Sequence, residues 1–391
     1  MMVCFKEMFQ IPHARTLSVA ESEADGIDED DDPILEIQAI PHFGGINRVR
    51  VMPQKPNLVA VWSDQGVVNL MDIRHRLSTL DIGSANGFAP PEGYRPGSSA
   101  PSEPVHSFSG HATEGFALGW SPVVPGRLAT GDCSKFMYVW DAETGSAVTA
   151  LGSNASSPAT SGSASWGWRV SSTPYTGHTS SVEDIVWSPV EPTVFASCGM
   201  DGTLRIWDIR DARKSQLHVK AHDCDVNVLS WNSERAPFLL AAGADDGSFS
   251  VWDMRDLMKH GPKTEYNSMY SWHRGPVTSI QWDPYDENVL AVASADDTVT
   301  IWDLSMEADT EQALSGQIAS AAGAAGGDED VAELPPQLLF VHQGQRDVKE
   351  ATFHPQVPGM VLSTAGDGFN LWKPDIDVQA EPEDEGDSKL A

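Results

Sequence analysis

The sequence predicts an all-β protein assembled from copies of one small unit, and three observations carry that expectation. First, Gly177–Asp208 contains three short apolar runs, Val182–Trp187, Thr193–Ser197 and Thr203–Trp207. They are rich in β-branched and aromatic residues, which suit a pleated strand better than a helix. Turn chemistry at Ser188-Pro189 and Met200-Asp201-Gly202 separates them into three antiparallel strands. Second, His42, His111, His178, His222, His273 and His342 each stand 29 or 30 residues before Met71, Trp140, Trp207, Trp252, Trp302 and Trp372. Third, four of those histidines are followed nine residues later by Trp120, Trp187, Trp231 or Trp282. One such unit cannot bury both of its faces, so it stacks on its own copies, and an array of this kind can use all 391 residues.

In chain order, Met1–Phe9 is a short apolar run with strand character. Glu21–Asp32 follows, eight of whose twelve residues are acidic; such a block repels itself and stays solvated. Its carboxylates include Glu21, Glu23, Asp28, Glu29, Asp30, Asp31 and Asp32. Pro33 ends it, and ILEIQAI (34–40) alternates like a half-buried strand. The repeat units then span about 42–73, 111–141, 178–208, 222–253, 273–303 and 342–373. Between them, Gly83–Pro104 and Ser153–Thr173 read as flexible surface loops of small residues, and Met306–Asp330 passes through a Gly/Ala-rich run into an acidic one. The expected organisation is therefore a partial strand and loop (1–20), an acidic segment (21–33), the repeat domain (34–380) and an acidic tail (381–391).

Charge and motif content narrow the function. Against 25 Lys and Arg stand 56 Asp and Glu, a formal net charge of −31, which disfavours nucleic acid or an anionic membrane as direct partner and favours basic proteins. Cys4, Cys133, Cys198 and Cys224 are scattered singly and read as reduced thiols. No apolar stretch approaches the ~20 residues of a membrane span. No metalloprotease, serine-hydrolase or phosphate-loop motif is present, so no catalytic residue, cofactor or metal is expected and the chain does not read as an enzyme. His218, His222 and Asp223 lie close together, but His222 is a repeat position and the structural role outweighs a ligand role.

The most informative non-repeated stretch is 328–344. Asp328, Glu329, Asp330 and Glu333 precede Leu334-Pro335-Pro336 and then the strand-like LLFVH. The Pro-Pro pair stiffens the loop and lowers the entropy cost of holding a partner, and the carboxylates would face cationic side chains. The alternative is a solvated acidic loop that only closes a repeat.

The His-to-Trp spacing resembles the WD40 repeat, which implies four-stranded blades in a β-propeller, seven in the family. In that pattern His, a second-strand Ser or Thr, a turn Asp and the third-strand Trp form a buried tetrad. Only His178, Ser197, Asp201 and Trp207 fit it in full register. Ala242 and Val292 stand where the hydroxyl belongs, so those blades are expected to lose a partner and blade 177–208 to be the stiffest. Six units of four strands plus the two N-terminal runs give 26 strands where seven blades need 28. The first blade is thus expected to be incomplete, the chain N-terminally truncated, and Pro374–Ala380 is a candidate outer strand for the last blade.

The acidic run, Pro-Pro and LLFVHQG further resemble the binding loop of the histone-binding WD40 family. PHFGGINRVRV (41–51), GHATEGFALGWSP (110–122), TGDC (130–133), GHTSSVEDIVWSP (177–189), AHDCDVNVLSW (221–231) and ELPPQLLFVHQG (333–344) resemble its glutamate-rich, ribosome-assembly branch. That resemblance implies a nuclear and nucleolar scaffold and chaperone for core histones, a basic large-subunit ribosomal protein and pre-ribosomal complexes. It places the histone-binding loop on Asp328, Glu329, Asp330, Glu333, Leu334, Pro335 and Pro336, with Glu21–Asp32 standing where the family has a longer acidic run. The N-terminal helix that walls the family's histone groove has no counterpart in this sequence. An alternative comes from Trp207-Asp208-Ile209-Arg210 and Trp252-Asp253-Met254-Arg255, which resemble the Trp-Asp-x-Arg box that docks WD40 substrate receptors on the adaptor of cullin-4 RING ubiquitin ligases. It would assign docking to Asp208, Arg210, Asp253 and Arg255, although many such repeats end this way without that role.

Overall fold

The computed structural model describes residues 40–74, 76–77, 103–143, 167–211, 214–306 and 334–374. Met1–Phe9, Glu21–Asp32, Asp328–Glu333 and 381–391 lie outside the described residues, as do Ile34–Ala39 and all of 374–380 except Pro374.

The described residues form six antiparallel meanders, each with its strands hydrogen-bonded in sequence order. The first holds β1 (Ile46–Val51), β2 (Leu58–Ser63), β3 (Val68–Asp72) and β4 (His106–Phe108), the second β5 (Ala117–Trp120), β6 (Leu128–Gly131), β7 (Met137–Ala142) and β8 (Trp168–Val170). The third has β9 (Val182–Trp187), β10 (Val194–Gly199), β11 (Thr203–Asp208) and β12 (Leu217–Lys220). The fourth has β13 (Val226–Trp231), β14 (Leu239–Ala244), β15 (Ser248–Asp253) and β16 (Ser268–Ser271). The fifth has β17 (Val277–Trp282), β18 (Val289–Ser294), β19 (Val299–Asp303) and β20 (Leu338–His342). Three strands, β21 (Val348–Phe353), β22 (Val361–Ala365) and β23 (Gly368–Trp372), are described in the sixth. This is a β-propeller of six described blades.

Blade stacking follows from where the apolar residues go. Five buried clusters each draw on two consecutive blades, and each contains the third-strand Trp of the later one: Trp140, Trp207, Trp252, Trp302 or Trp372. A buried Trp removes roughly 150–250 Å² from water, so these side chains dominate the interfaces. Met71, at the equivalent place in the first blade, packs with Val59, Val61 and Ile73 instead. Polar staples add to this. The indole N–H groups of Trp120, Trp187 and Trp282 donate across to the carbonyls of Arg50, Gly119 and Ser230, at 3.0, 2.9 and 3.0 Å. Trp231 departs from the pattern and donates within its own blade, to Pro237 O at 2.7 Å.

Two sequence expectations change. Within Ser153–Thr173, residues Trp168–Val170 are not loop: they form β8, and Trp168 is buried with its indole donating to Gly126 O at 3.0 Å. Between β15 and β16 stands α1 (Met254–His260), followed by a 3-10 turn at Gly261–Lys263. Asp253 caps the helix by accepting from Arg255 N–H, and Leu257 anchors it in the interface of the third and fourth blades.

Candidate protein-binding surfaces

The histidines that mark the repeat are scaffold, and their networks repeat with a variation. In the third blade His178 Nδ1 lies 3.0 Å from Asp201 Oδ2 and Nε2 lies 2.7 Å from Ser197 Oγ, which also takes the Trp207 indole N–H at 2.8 Å. Burial lowers the His178 pKa, so the ring is neutral. The carboxylate can only accept, so Nδ1 carries the proton and Nε2 accepts from the hydroxyl. Burial works to raise the Asp201 carboxyl, but hydrogen bonds from His178, Thr203 and the Thr179 N–H overcome it and leave the group far below the usual carboxylate range. The second blade builds the same network from His111, Thr130, Asp132 and Trp140, with all three contacts at 2.9–3.0 Å. Its Asp stands two positions earlier than the sequence register expects.

In the fourth and fifth blades the expected loss of a hydroxyl does not occur. Ser250 pairs directly across from Ala242, and Thr300 from Val292. Each hydroxyl therefore occupies the same place from the neighbouring strand. Ser250 Oγ lies 2.8 Å from His222 Nε2 and accepts from Trp252 at 2.9 Å; Thr300 Oγ1 lies 2.9 Å from His273 Nε2 and accepts from Trp302 at 2.7 Å. The sixth blade uses Gln345, which accepts from Ser363, while His342 stacks flat on Trp372 at 4.3 Å.

Because every sheet is an antiparallel meander, its first-to-second and third-to-fourth connections share one face, and its second-to-third turns and blade links share the other. The turn face gathers exposed carboxylates from blades far apart in sequence: Asp64, Glu114, Asp223, Asp245, Asp246, Asp297, Asp347 and Asp367. Phe43 lies beside the first of these turns with 85% of its surface exposed. Sequence reading missed this face, since its members sit one or two at a time in turns and links far apart in sequence. The tightness of those turns is the only signal: Gly202 has φ +68°, and a Cβ there would stand 2.6–2.8 Å from the His222 and Cys224 carbonyls.

The long insertions all join third to fourth strands, whose described ends lie on the other face. The loop of the fifth blade is pinched at its neck, where Gln337 Nε2 donates to Met306 O and Asp303 N–H to Gln337 O, both at 2.8 Å. Leu334 stands 63% exposed at that neck, and Pro335 O accepts from Leu338 N–H. Leu334, Pro335 and Pro336 therefore sit on a fixed base, while Asp328, Glu329, Asp330 and Glu333 lie outside the described residues.

On the same face Asp208 and Arg210 form a fork, as do Asp253 and Arg255; both arginines are exposed, and Arg255 also covers the Phe238 ring at 3.6 Å. The Arg210 hydrogen bonds hold Asp208 below the ordinary carboxylate range. A third fork, Asp72 with Arg74 at 3.0 Å, escaped sequence reading because Met71 replaces its Trp. Among the described residues no group of three or more His, Cys, Asp or Glu could hold a metal ion, and no helix is long and apolar enough to cross a membrane.

The family model described as "WD domain, G-beta repeat" matches residues 168–208, 213–253 and 265–303. These three stretches are WD40 repeats. The chain is 40% identical over 342 residues to the Arabidopsis thaliana protein HEAT STRESS TOLERANT DWD 1, covering 88% of this chain and 66% of that one. It is 38% identical over 363 residues to ribosome assembly protein rrb1 of Schizosaccharomyces pombe, covering 90% and 66%. With the glutamate-rich WD repeat-containing protein 1 of Dictyostelium discoideum the identity is 43% over 342 residues, covering 88% and 61%. The chain thus spans somewhat under two thirds of the length of these relatives. As a WD40 propeller it offers a rigid rim with two chemically distinct faces. Most of the chain's excess charge lies outside the described residues: segments 1–39, 307–333 and 375–391 hold 24 Asp and Glu against three Lys and Arg.

Proposed function

We propose that this chain is a non-enzymatic WD40 scaffold of ribosome assembly that shields basic client proteins, core histones and a basic large-subunit ribosomal protein among them, in the nucleus and nucleolus. The observation that supports this most directly is the neck at Met306 and Gln337, which holds the exposed Leu334 and the stiff Pro335-Pro336 that follow Asp328, Glu329, Asp330 and Glu333 in the sequence. A loop held at its base loses less entropy when it closes on a partner. Glu21–Asp32 and the turn-face carboxylates add attraction at longer range. Two relatives are named for ribosome assembly or glutamate-rich WD repeats, consistent with this reading.

Binding by charge neutralisation weakens with salt, because the Debye length shrinks from about 10 Å at 0.1 M to about 3 Å at 1 M. Capture of core histones and of purified large-subunit ribosomal proteins in rising salt tests the proposal. Steep loss between 0.1 and 0.5 M is expected; binding that is absent or indifferent to salt overturns it. Neutralising Asp328, Glu329, Asp330 and Glu333 is expected to weaken capture more than neutralising Glu381, Glu383, Asp384 and Glu385, and equal losses remove the loop from the site.

A second reading, receptor of a cullin-4 ligase, is favoured by the two exposed arginines on neighbouring blades, Arg210 and Arg255, each aimed by its own Asp. Co-purification with the ligase adaptor, abolished by Arg210→Ala with Arg255→Ala, is its expected signature. Unchanged co-purification in that variant rejects it.

A further inference from the structure

The outer edge of the third and fourth blades reverses the sign of the molecule. The described residues of 209–220 and 254–263 include six Lys and Arg against two Asp, in a chain of net charge −31. They are brought together because the 3-10 turn after α1 packs on β12, with Leu257 and Val219 in one buried cluster beneath. Arg210 and Arg255 are already neutralised by Asp208 and Asp253. Lys214, Lys220, Lys259 and Lys263 are exposed and make no ion pair among the described residues. Next to Lys259 and Lys263 in the chain, the fold leaves apolar side chains in water: Met258, 79% exposed on α1, and Tyr266 at 45%, with Met269 at 38% on β16. Leu257 shows that the helix needs only one side to anchor it, so Met258 does nothing for packing.

From this juxtaposition we propose that the edge formed by β12, α1 and the following 3-10 turn is a docking surface for an acidic segment of a partner protein that carries apolar side chains among its carboxylates. Four lysines free of carboxylate partners supply the attraction, and the thioether of Met258 adapts to whichever apolar side chain is offered. A charge pattern opposite to the surroundings also orients the segment, because the rest of the surface repels it. Nucleic acid is the poorer match. A polyphosphate engages a long cationic track, whereas this island is short and ringed by the carboxylates of a strongly acidic protein. The surface is separate from the loop at 328–336 and takes the opposite class of ligand, so its fate does not depend on the function proposed above.

The test uses the full chain and fluorescence anisotropy with three probes. One is a 20-residue labelled peptide of Asp and Glu interspersed with Leu and Phe. The second has the same carboxylates with Ser in place of the apolar residues, and the third is a 20-nucleotide single-stranded RNA. The apolar acidic peptide is expected to bind tightest, at least fivefold over the Ser version. Reversing Lys214, Lys220, Lys259 and Lys263 to Glu is expected to weaken it tenfold or more, and Met258→Asp about fivefold. Lys→Arg at the same four positions is expected to retain binding, which separates lost charge from lost fold, and Lys135→Glu on the turn face is expected to change nothing. The proposal is overturned if the RNA binds as tightly as the apolar peptide, if the apolar peptide does not bind, or if the four reversals leave its affinity unchanged.

Discussion

At the scale of single residues, the instructive pair is Ala242 and Ser250. They face each other across β14 and β15, and the hydroxyl that the third blade places on its second strand sits here on the third. What the blade needs is an oxygen at one point between an indole N–H and an imidazole nitrogen, and either strand can deliver it. Ser250→Ala leaves Trp252 Nε1 and His222 Nε2 without a partner and is expected to cost about 1–3 kcal/mol. Adding Ala242→Ser is expected to return most of it, and a double variant no more stable than Ser250→Ala in urea denaturation refutes that interchange. The same networks set a pH response. Burial lowers the pKa of His111, His178, His222 and His273 below the ordinary 6.5. Below pH 6.5 the unfolded chain therefore binds more protons than the folded one, and stability falls as pH falls. Asp201, Asp246 and Asp296 are depressed below 3.8, so a second loss follows as pH drops under that value. The melting temperature is expected to decline between pH 7 and 5 and more steeply below 4; a flat profile from 7 to 5 shows that the imidazoles titrate as in the unfolded chain.

At the scale of elements, legibility tracked the distance between the residues that carry each signal. The units were readable because His and Trp recur at a near-constant spacing and the strands between them are β-branched, so pattern and propensity agree. β8 was not, because three residues inside an insertion of Ser, Ala and Gly leave no periodicity to detect. What places it is tertiary: Trp168 fills the interface between the first two blades and its indole bonds to Gly126 O. Trp168→Ala is accordingly expected to cost about 3–5 kcal/mol; a change within 0.5 kcal/mol would mean that the segment is the surface loop its composition suggests. α1 had a signal that went unread, an Asp cap at Asp253 and a Gly261-Pro262 stop, but seven residues are too few for a helical period. Of the candidate site, the acidic loop and two Asp–Arg forks were readable as contiguous motifs. The turn-face carboxylates and the basic edge were not, for each is assembled from different blades by the fold.

At the scale of the whole molecule, Arg50 in the first blade reaches Glu350 in the sixth at 2.9 Å, with Arg48 on the same carboxylate at 3.6 Å. Burial works to raise the Glu350 pKa, and the two guanidinium groups outweigh it and lower it. This contact joins inner strands 300 residues apart, so its closure entropy falls due only when the blades between have formed. Solvent reaches a third of the Arg50 side chain and 43% of Glu350, which limits the pair to about 1 kcal/mol. Glu350→Gln is expected to cost more than Arg50→Gln, since it strands two arginines rather than one carboxylate that keeps Arg48. A double-mutant cycle is expected to show a coupling of about 0.5–1 kcal/mol that shrinks in 1 M salt. Because the link forms late, its loss is expected to speed unfolding and leave the folding rate nearly unchanged. Stopped-flow kinetics decide the matter: a slowed folding limb would place the meeting of the first and sixth described blades in the folding nucleus.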